Sequence, residues 1–230
     1  MQIVRPIPFV NKLYSSLEWK KPCSNDSKTV YLTFDDGPIP EVTPWVLEQL
    51  EKFNAQATFF CVGANVEKHP DVFKQVVAAG HHVGNHTFNH MNGWESDNIE
   101  YFHNIRHCAR LVNSTMFRPP YGRISPKQVQ FLQRHYDIVM WDVLSGDFDQ
   151  DLSKEQCLKN VVDYVRSGSI VVFHDSQKAQ ENLYYALPRT LEHFAAQGYR
   201  FRALSPQLLK EMNTQQNGFS RENDMELQVA

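Results

Sequence analysis

Thr29-Val30-Tyr31-Leu32-Thr33-Phe34-Asp35-Asp36-Gly37-Pro38 is an apolar run that ends in two adjacent carboxylates and two turn formers. The β-branched and aromatic residues predict a strand over Thr29–Phe34. Gly37 and Pro38 predict a turn directly after it, one permitting φ > 0 and the other fixing φ. Two acids at one strand end repel each other, and burial raises the pKa of at least one unless a cation lies near. The fold must therefore deliver positive charge to this point, as a metal, an arginine or both.

Outward from this stretch, short apolar runs alternate with helical patterns. Strands are expected over Ala57–Cys61, His82–Asn85, Ile138–Met140, Ile170–Phe173 and near Arg200–Ala203. Helices are expected over Thr43–Phe53, Asp71–Ala79, Ile99–Val112, Ser125–Arg134, Ser153–Val165 and Ala186–Ala196. Near-continuous apolar strands alternating with helices predict an α/β fold, a parallel sheet covered by helices. Six or seven such units fit a small, incomplete β/α barrel, with a doubly wound open sheet as the alternative. No Gly-rich phosphate loop follows a strand, which weakens the nucleotide-binding form of the open sheet.

The chain has 230 residues, enough for one sizeable core, and its net charge of -3 gives no reason to expect nucleic acid as a partner. No apolar run approaches the ~20 residues of a membrane span. Residues 1–27 are expected to pack as an extension on a catalytic domain over 28–205, with a polar, disordered tail over 206–230. The N-terminal residues lack a continuous apolar core and do not read as a signal peptide, so a cytoplasmic location is expected. Cys23, Cys61, Cys108 and Cys157 form no CxxC pair, which argues against a zinc knuckle. Scattered reduced thiols suit the same compartment.

In parallel α/β folds, sites form beyond the C-terminal ends of the strands. Five chemically loaded segments fall there: Asp35-Asp36; His86 to His90; Arg118-Pro119-Pro120-Tyr121-Gly122; Trp141 to Asp147; and Phe173-His174-Asp175. His86 and His90 are four residues apart, which on a helical turn places both imidazoles on one face, able to share a metal with one carboxylate. Such a set leaves coordination positions open for water and substrate. His103 and His107 have the same spacing but no acidic strand end beside them, and read as a solvated helix face. Arg118 can grip a carboxylate with its forked donors. Asp147 and Asp175 are candidate orienting acids for His174.

This set resembles the polysaccharide deacetylases, carbohydrate esterase family 4, also called the NodB homology domain. The likeness runs from about Val30 to Leu204. Thr33–Pro38 matches the family's first motif, His86-Thr87-x-x-His90 its second, Arg118–Gly122 its third, and Phe173-His174-Asp175 resembles its fifth. The resemblance implies a distorted (β/α)7 barrel. It implies a metal-dependent hydrolase that removes acetyl groups from an N-acetylated carbohydrate substrate. Asp36, His86 and His90 would hold a divalent metal, zinc first, with cobalt, nickel, manganese and iron open. Asp35 would be the general base and Arg118 its partner. The Tyr121 N–H would help bind the oxyanion. His174 would be the general acid, oriented by Asp147. Tyr121, Trp141, Phe148 and Val172 would line the substrate pocket.

The fourth motif departs from the family pattern. Leu144 stands for its first Asp and Phe148 for its Trp, while Val172 replaces a frequent Leu of the fifth. These changes bear on acetyl-pocket shape and substrate identity. Three other readings remain open at this point: hydrolysis of a small amide or O-acetyl ester, an inactive carbohydrate-binding relative, and a non-haem iron oxygenase. The last lacks an HxD or HxE pair after a strand.

Overall fold

The computed structural model describes residues 17–20 and 28–205. Cys23, most of the expected N-terminal extension and the expected polar tail lie outside the described residues. The sheet is built on β1 (Thr29–Asp35), β2 (Thr58–Cys61), β3 (His82–Asn85), β4 (Met116–Phe117), β5 (Asp137–Ile138), β6 (Val143–Leu144) and β7 (Ile170–His174). All pairings are parallel, in the order β5-β4-β3-β2-β1-β7-β6, and β8 (Arg200–Phe201) pairs with the start of β1.

Side-chain alternation along β1 divides the core. Val30, Leu32 and Phe34 point outward into a large apolar cluster. That cluster includes Val46 and Leu50 of α1 (Thr43–Lys52) and Leu183 and Leu187 of α7 (Gln180–Ala196). Tyr31 points the other way and meets Phe60, Met116, Val139, Ile170 and Leu204. Side chains from five places along the sheet can share one small cluster only if the sheet curls around them. This excludes the flat doubly wound alternative and gives the distorted seven-stranded barrel. Among the described residues β5 and β6 share no ladder. Beside that opening, Glu18 pairs with Val139 and Lys20 with Ser169.

The remaining helices are α2 (Gly63–Lys68), α3 (Pro70–Ala78), α4 (Asn98–Ala109), α5 (Pro126–Leu132) and α6 (Lys154–Val162). Ser125 and Ser153 cap α5 and α6 by accepting from the N–H groups of Gln128 and Gln156. Helix α2 and the two-residue strands β4 and β6 were not expected from sequence, because such short pieces carry too little periodicity to register. Helix α7 begins at Gln180 rather than Ala186, since Asn182 and Leu183 already face the core. No helix among the described residues is long and apolar enough to cross a membrane.

Candidate active site

Thr33 and Asp35 share the inner face of β1 with Tyr31, two residues apart each time. There they meet Arg118, which is fully buried. Its Nη1 donates to Asp35 Oδ1 and to Thr33 Oγ1, both at 2.7 Å. Its Nε and Nη2 donate to the carbonyls of Val139 and Met140 at 3.1 and 2.9 Å. The Phe60 ring lies 4.1 Å beneath the guanidinium. Burial pushes the Arg118 pKa down, and the Asp35 charge opposes that shift. A buried cation whose three nitrogens all donate is costly to displace. Asp35 is thus held rigidly at the strand end.

The chain then turns away from the strand. Asp36 adopts φ +84°, a conformation that non-glycine residues rarely take. Gly37 follows, where a side chain would collide with Asp175 (an added Cβ would lie 1.9 Å from Asp175 Oδ2). Asp175 accepts from the Gly37 N–H at 3.0 Å and from the Thr43 hydroxyl at 2.6 Å, and Asn65 donates to the Asp36 carbonyl at 2.7 Å. Burial raises the Asp175 carboxyl to about 8, against the pull of those donors. The strained turn is therefore clamped from both sides.

Asp36 faces two imidazoles. Its Oδ1 lies 3.1 Å from His90 Nε2 and 3.7 Å from His86 Nε2. His86 Nδ1 donates to the Arg118 carbonyl at 2.8 Å, so its Nε2 lone pair points at Asp36. Burial lowers the His86 pKa to about 4, leaving the ring neutral. Burial works to raise the Asp36 pKa, but the adjacent His90, with His174 and His86, holds it well below the carboxylate range. Asp36 Oδ1 is buried with no well-aligned hydrogen-bond partner. Three electron-pair donors converging within 4.8 Å around an unsatisfied carboxylate oxygen fit a divalent cation of the kind that nitrogen and oxygen ligands bind.

The two histidines do not lie on a helix, contrary to the expectation from spacing. Residues 86–90 form an irregular turn in which Thr87 (φ +63°) and His90 (φ +58°) are left-handed. Side chains fix that turn: Asn85 Oδ1 accepts from the Thr87 N–H, Thr87 Oγ1 from Met91, and Asn104 Oδ1 from Phe88. The first N–H groups of α2 donate to the Thr87 and Phe88 carbonyls.

On the opposite wall stands His174, at the end of β7 and in register with Asp35. Asp147 accepts from His174 Nδ1 and from the His174 backbone N–H, both at 2.7 Å. Burial alone would strip the proton from His174. The charge and hydrogen bond of Asp147, followed by the charges of Asp36 and Asp35, raise its pKa to about 9. The carboxyl of Asp175, the other candidate orienting acid, bonds instead to Gly37 and Thr43 and serves the Gly37 turn.

One cavity of about 340 Å³ joins these groups. Asp35, Asp36, His86, His90 and His174 line it, as do Tyr121, Trp141, Leu144, Phe148 and Val172. The Phe148 ring meets His174 edge-on at 4.9 Å, and Tyr121 Oη lies 3.1 Å from His90 Nδ1. Arg118 and Asp147 sit behind the wall, hydrogen-bonded to Asp35 and His174. Sequence reasoning missed Lys178, which also lines the cavity, and Thr33, Asn65, Asn104 and Asn182 behind it. Of these only Thr33 carried a signal, the strand parity that puts it beside Asp35.

A sequence model of the polysaccharide deacetylase family matches residues 23–137. The chain belongs to that family. It is 34% identical to a peptidoglycan-N-acetylglucosamine deacetylase of Bacillus cereus, over 81% of this chain and 90% of that one. It is 32% identical to a chitooligosaccharide deacetylase of Azorhizobium caulinodans, over 66% of this chain and 76% of that one. A crystal structure of the Bc1960 peptidoglycan N-acetylglucosamine deacetylase, in complex with 4-naphthalen-1-yl-N-oxidanyl-benzamide, superimposes with a TM-score of 0.78. It shares 30% identity and covers 86% of this chain and 95% of that chain. As a polysaccharide deacetylase family member the chain is a hydrolase of carbon–nitrogen bonds in acetylated sugars, on the curled parallel barrel of its relatives. The family's usual acid at position 144 and Trp at 148 are here Leu and Phe. Both line the cavity, so the departures make its wall more apolar without removing Asp147.

Proposed function

We propose that the cavity hydrolyses the acetamide of an N-acetylated sugar within an oligosaccharide or polysaccharide, with Asp36, His86 and His90 holding a divalent metal. The reading rests on one arrangement: a carboxylate gripped by Arg118 and an imidazole gripped by Asp147 face each other across one convergent donor set. A divalent cation bound there supplies a Lewis acid for the amide carbonyl and lowers the pKa of a nearby water toward ~7. Asp35, aimed by Arg118 and Thr33, takes the proton of the attacking water. The Tyr121 N–H donates to the oxygen that gains charge. His174, protonated because of Asp147, gives a proton to the departing nitrogen, so that an amine rather than an amide anion leaves. Base and acid each contribute about 10²–10⁴-fold. Leu144, Phe148 and Val172 offer an apolar wall to the acetyl methyl group.

The experiment is acetate release from chitooligosaccharides, peptidoglycan and O-acetylated saccharides, by protein of known metal content. Acetamide hydrolysis that Asp35→Asn abolishes while metal stays bound is the expected result. Turnover of O-acetyl esters alone, or a fully active Asp35→Asn, would overturn the reading. A cytoplasmic enzyme of this kind would meet short soluble saccharides rather than finished wall polymer. Relative rates on short chains and on insoluble peptidoglycan bear on that question.

A further inference from the structure

At the rim of the cavity, on the His90 side, two large aromatic side chains stand in solvent. Trp94 is 65% exposed and Tyr121 62% exposed. The Arg123 guanidinium lies between them, 5.6 Å from the Trp94 ring and 5.8 Å from the Tyr121 ring. The Tyr121 ring packs edge-on to His90 at 4.6 Å, so the group is continuous with the reaction cavity.

The turn that carries Trp94 is firmly built. Asn92 Oδ1 accepts from the Trp94 N–H at 3.1 Å, and the Ser96 hydroxyl donates to the Asn92 carbonyl at 2.7 Å. Gln128 donates to the Gly93 carbonyl at 2.7 Å. A side chain at position 93 would strike the Arg123 carbonyl (an added Cβ would lie 2.6 Å away), so glycine lets this turn lie flat on the segment bearing Arg123. Arg123 is further fixed by Glu95 at 3.1 Å. An exposed indole on a braced turn beside an active cavity is a surface waiting for a partner with a flat apolar face.

We propose that Trp94, Arg123 and Tyr121 form a binding platform for a second pyranose ring of the glycan, outside the residue that reacts. A pyranose presents C–H groups on its face and hydroxyls on its edge. The indole and phenol match the face, and the free guanidinium donors of Arg123 match the edge. The ligand class rests on the proposed function, and the platform makes the enzyme prefer chains over single sugars. Trp94 and Arg123 touch none of the reacting groups, so they act on substrate affinity and length preference rather than on the chemical step.

The test is calorimetric binding in the Asp35→Asn background with metal present, using N-acetylglucosamine and its β-1,4-linked tetramer. Trp94→Ala is expected to weaken tetramer binding about tenfold while leaving the monomer unchanged, and Trp94→Phe to restore most of the loss. Unchanged tetramer affinity, equal losses for monomer and tetramer, or no tetramer binding before substitution would each overturn the platform. Binding does not require turnover. Failure of acetate release by the unsubstituted enzyme would count against the proposed function without touching this result.

Discussion

His86/His90 and His103/His107 have identical spacing and opposite fates. The second pair lies on the regular helix α4 with both rings exposed, and His107 stacks on Phe88 at 3.8 Å between centroids. The first pair lies on a turn with two left-handed residues, its rings aimed at a buried carboxylate oxygen. A regular helix would have fixed both imidazoles side by side on one helical face. The irregular turn instead bends His90 back toward Asp36, at a backbone cost of about 1–3 kcal/mol for each strained residue. Asn85, Thr87 and Asn104 hold that strain in place. Spacing proposes a pair of ligands, and the backbone beneath it decides whether they converge.

The sharpest way to break this comparison is to remove one ring from each pair. His86→Ala is expected to empty the metal site and lower activity by about a thousandfold or more. His103→Ala and His107→Ala should leave both within about twofold. Elemental analysis and acetate release on the same samples check it, and equal losses in the two regions would erase the distinction.

Asp147→Asn probes the opposite wall, where His174 has an anchor that His103 and His107 lack. The folded pKa of His174, about 9, stands above its unfolded value of about 6.5. Its contribution to stability is fully present below about 6.5 and lost as pH rises through about 9. Without the Asp147 charge the folded pKa falls. The alkaline limb of the rate profile should move to lower pH, with kcat down about a hundredfold at neutral pH. An unmoved limb would show that Asp147 does not set the proton affinity of His174.

The smallest expected effect belongs to Asp175. Its folded pKa of about 8 exceeds the ordinary carboxyl value, so between about pH 4 and pH 8 the folded state holds a proton that the unfolded state has released. Stability must therefore fall as pH rises through that window. Asp175→Asn keeps an acceptor for Gly37 and removes the titration. Urea melts with chelator present should then vary less with pH across the window.

Much of the site was legible because its residues sit at strand ends, where period-2 patterning and turn residues mark position. Asp35-Asp36 and His174 fall at such places, and the prolines after Arg118 mark its turn although the strand β4 before it did not register. The supporting residues were not legible. Asn182 donates to the carbonyls of Asp147, Asp149 and Leu152, and Asn104 braces the histidine turn. A polar residue on a helix looks the same whether it faces solvent or a distant loop. The helical placement of His86 and His90 failed for a related reason: four-residue spacing cannot distinguish a helical turn from a strained loop.

The amino-acid sequence by itself determined the alternating α/β plan, the family, and which side chains carry charge and lone pairs, because these follow from local patterning and residue type. Tertiary structure decided which of them meet. Curling of the sheet brought Arg118 from beyond β4 to Asp35 on β1. Left-handed turns at Asp36, Thr87 and His90 focused three donor side chains on one point. Burial works to lower the proton affinity of both His86 and His174, and the Asp147 carboxylate held against His174 reverses the shift there.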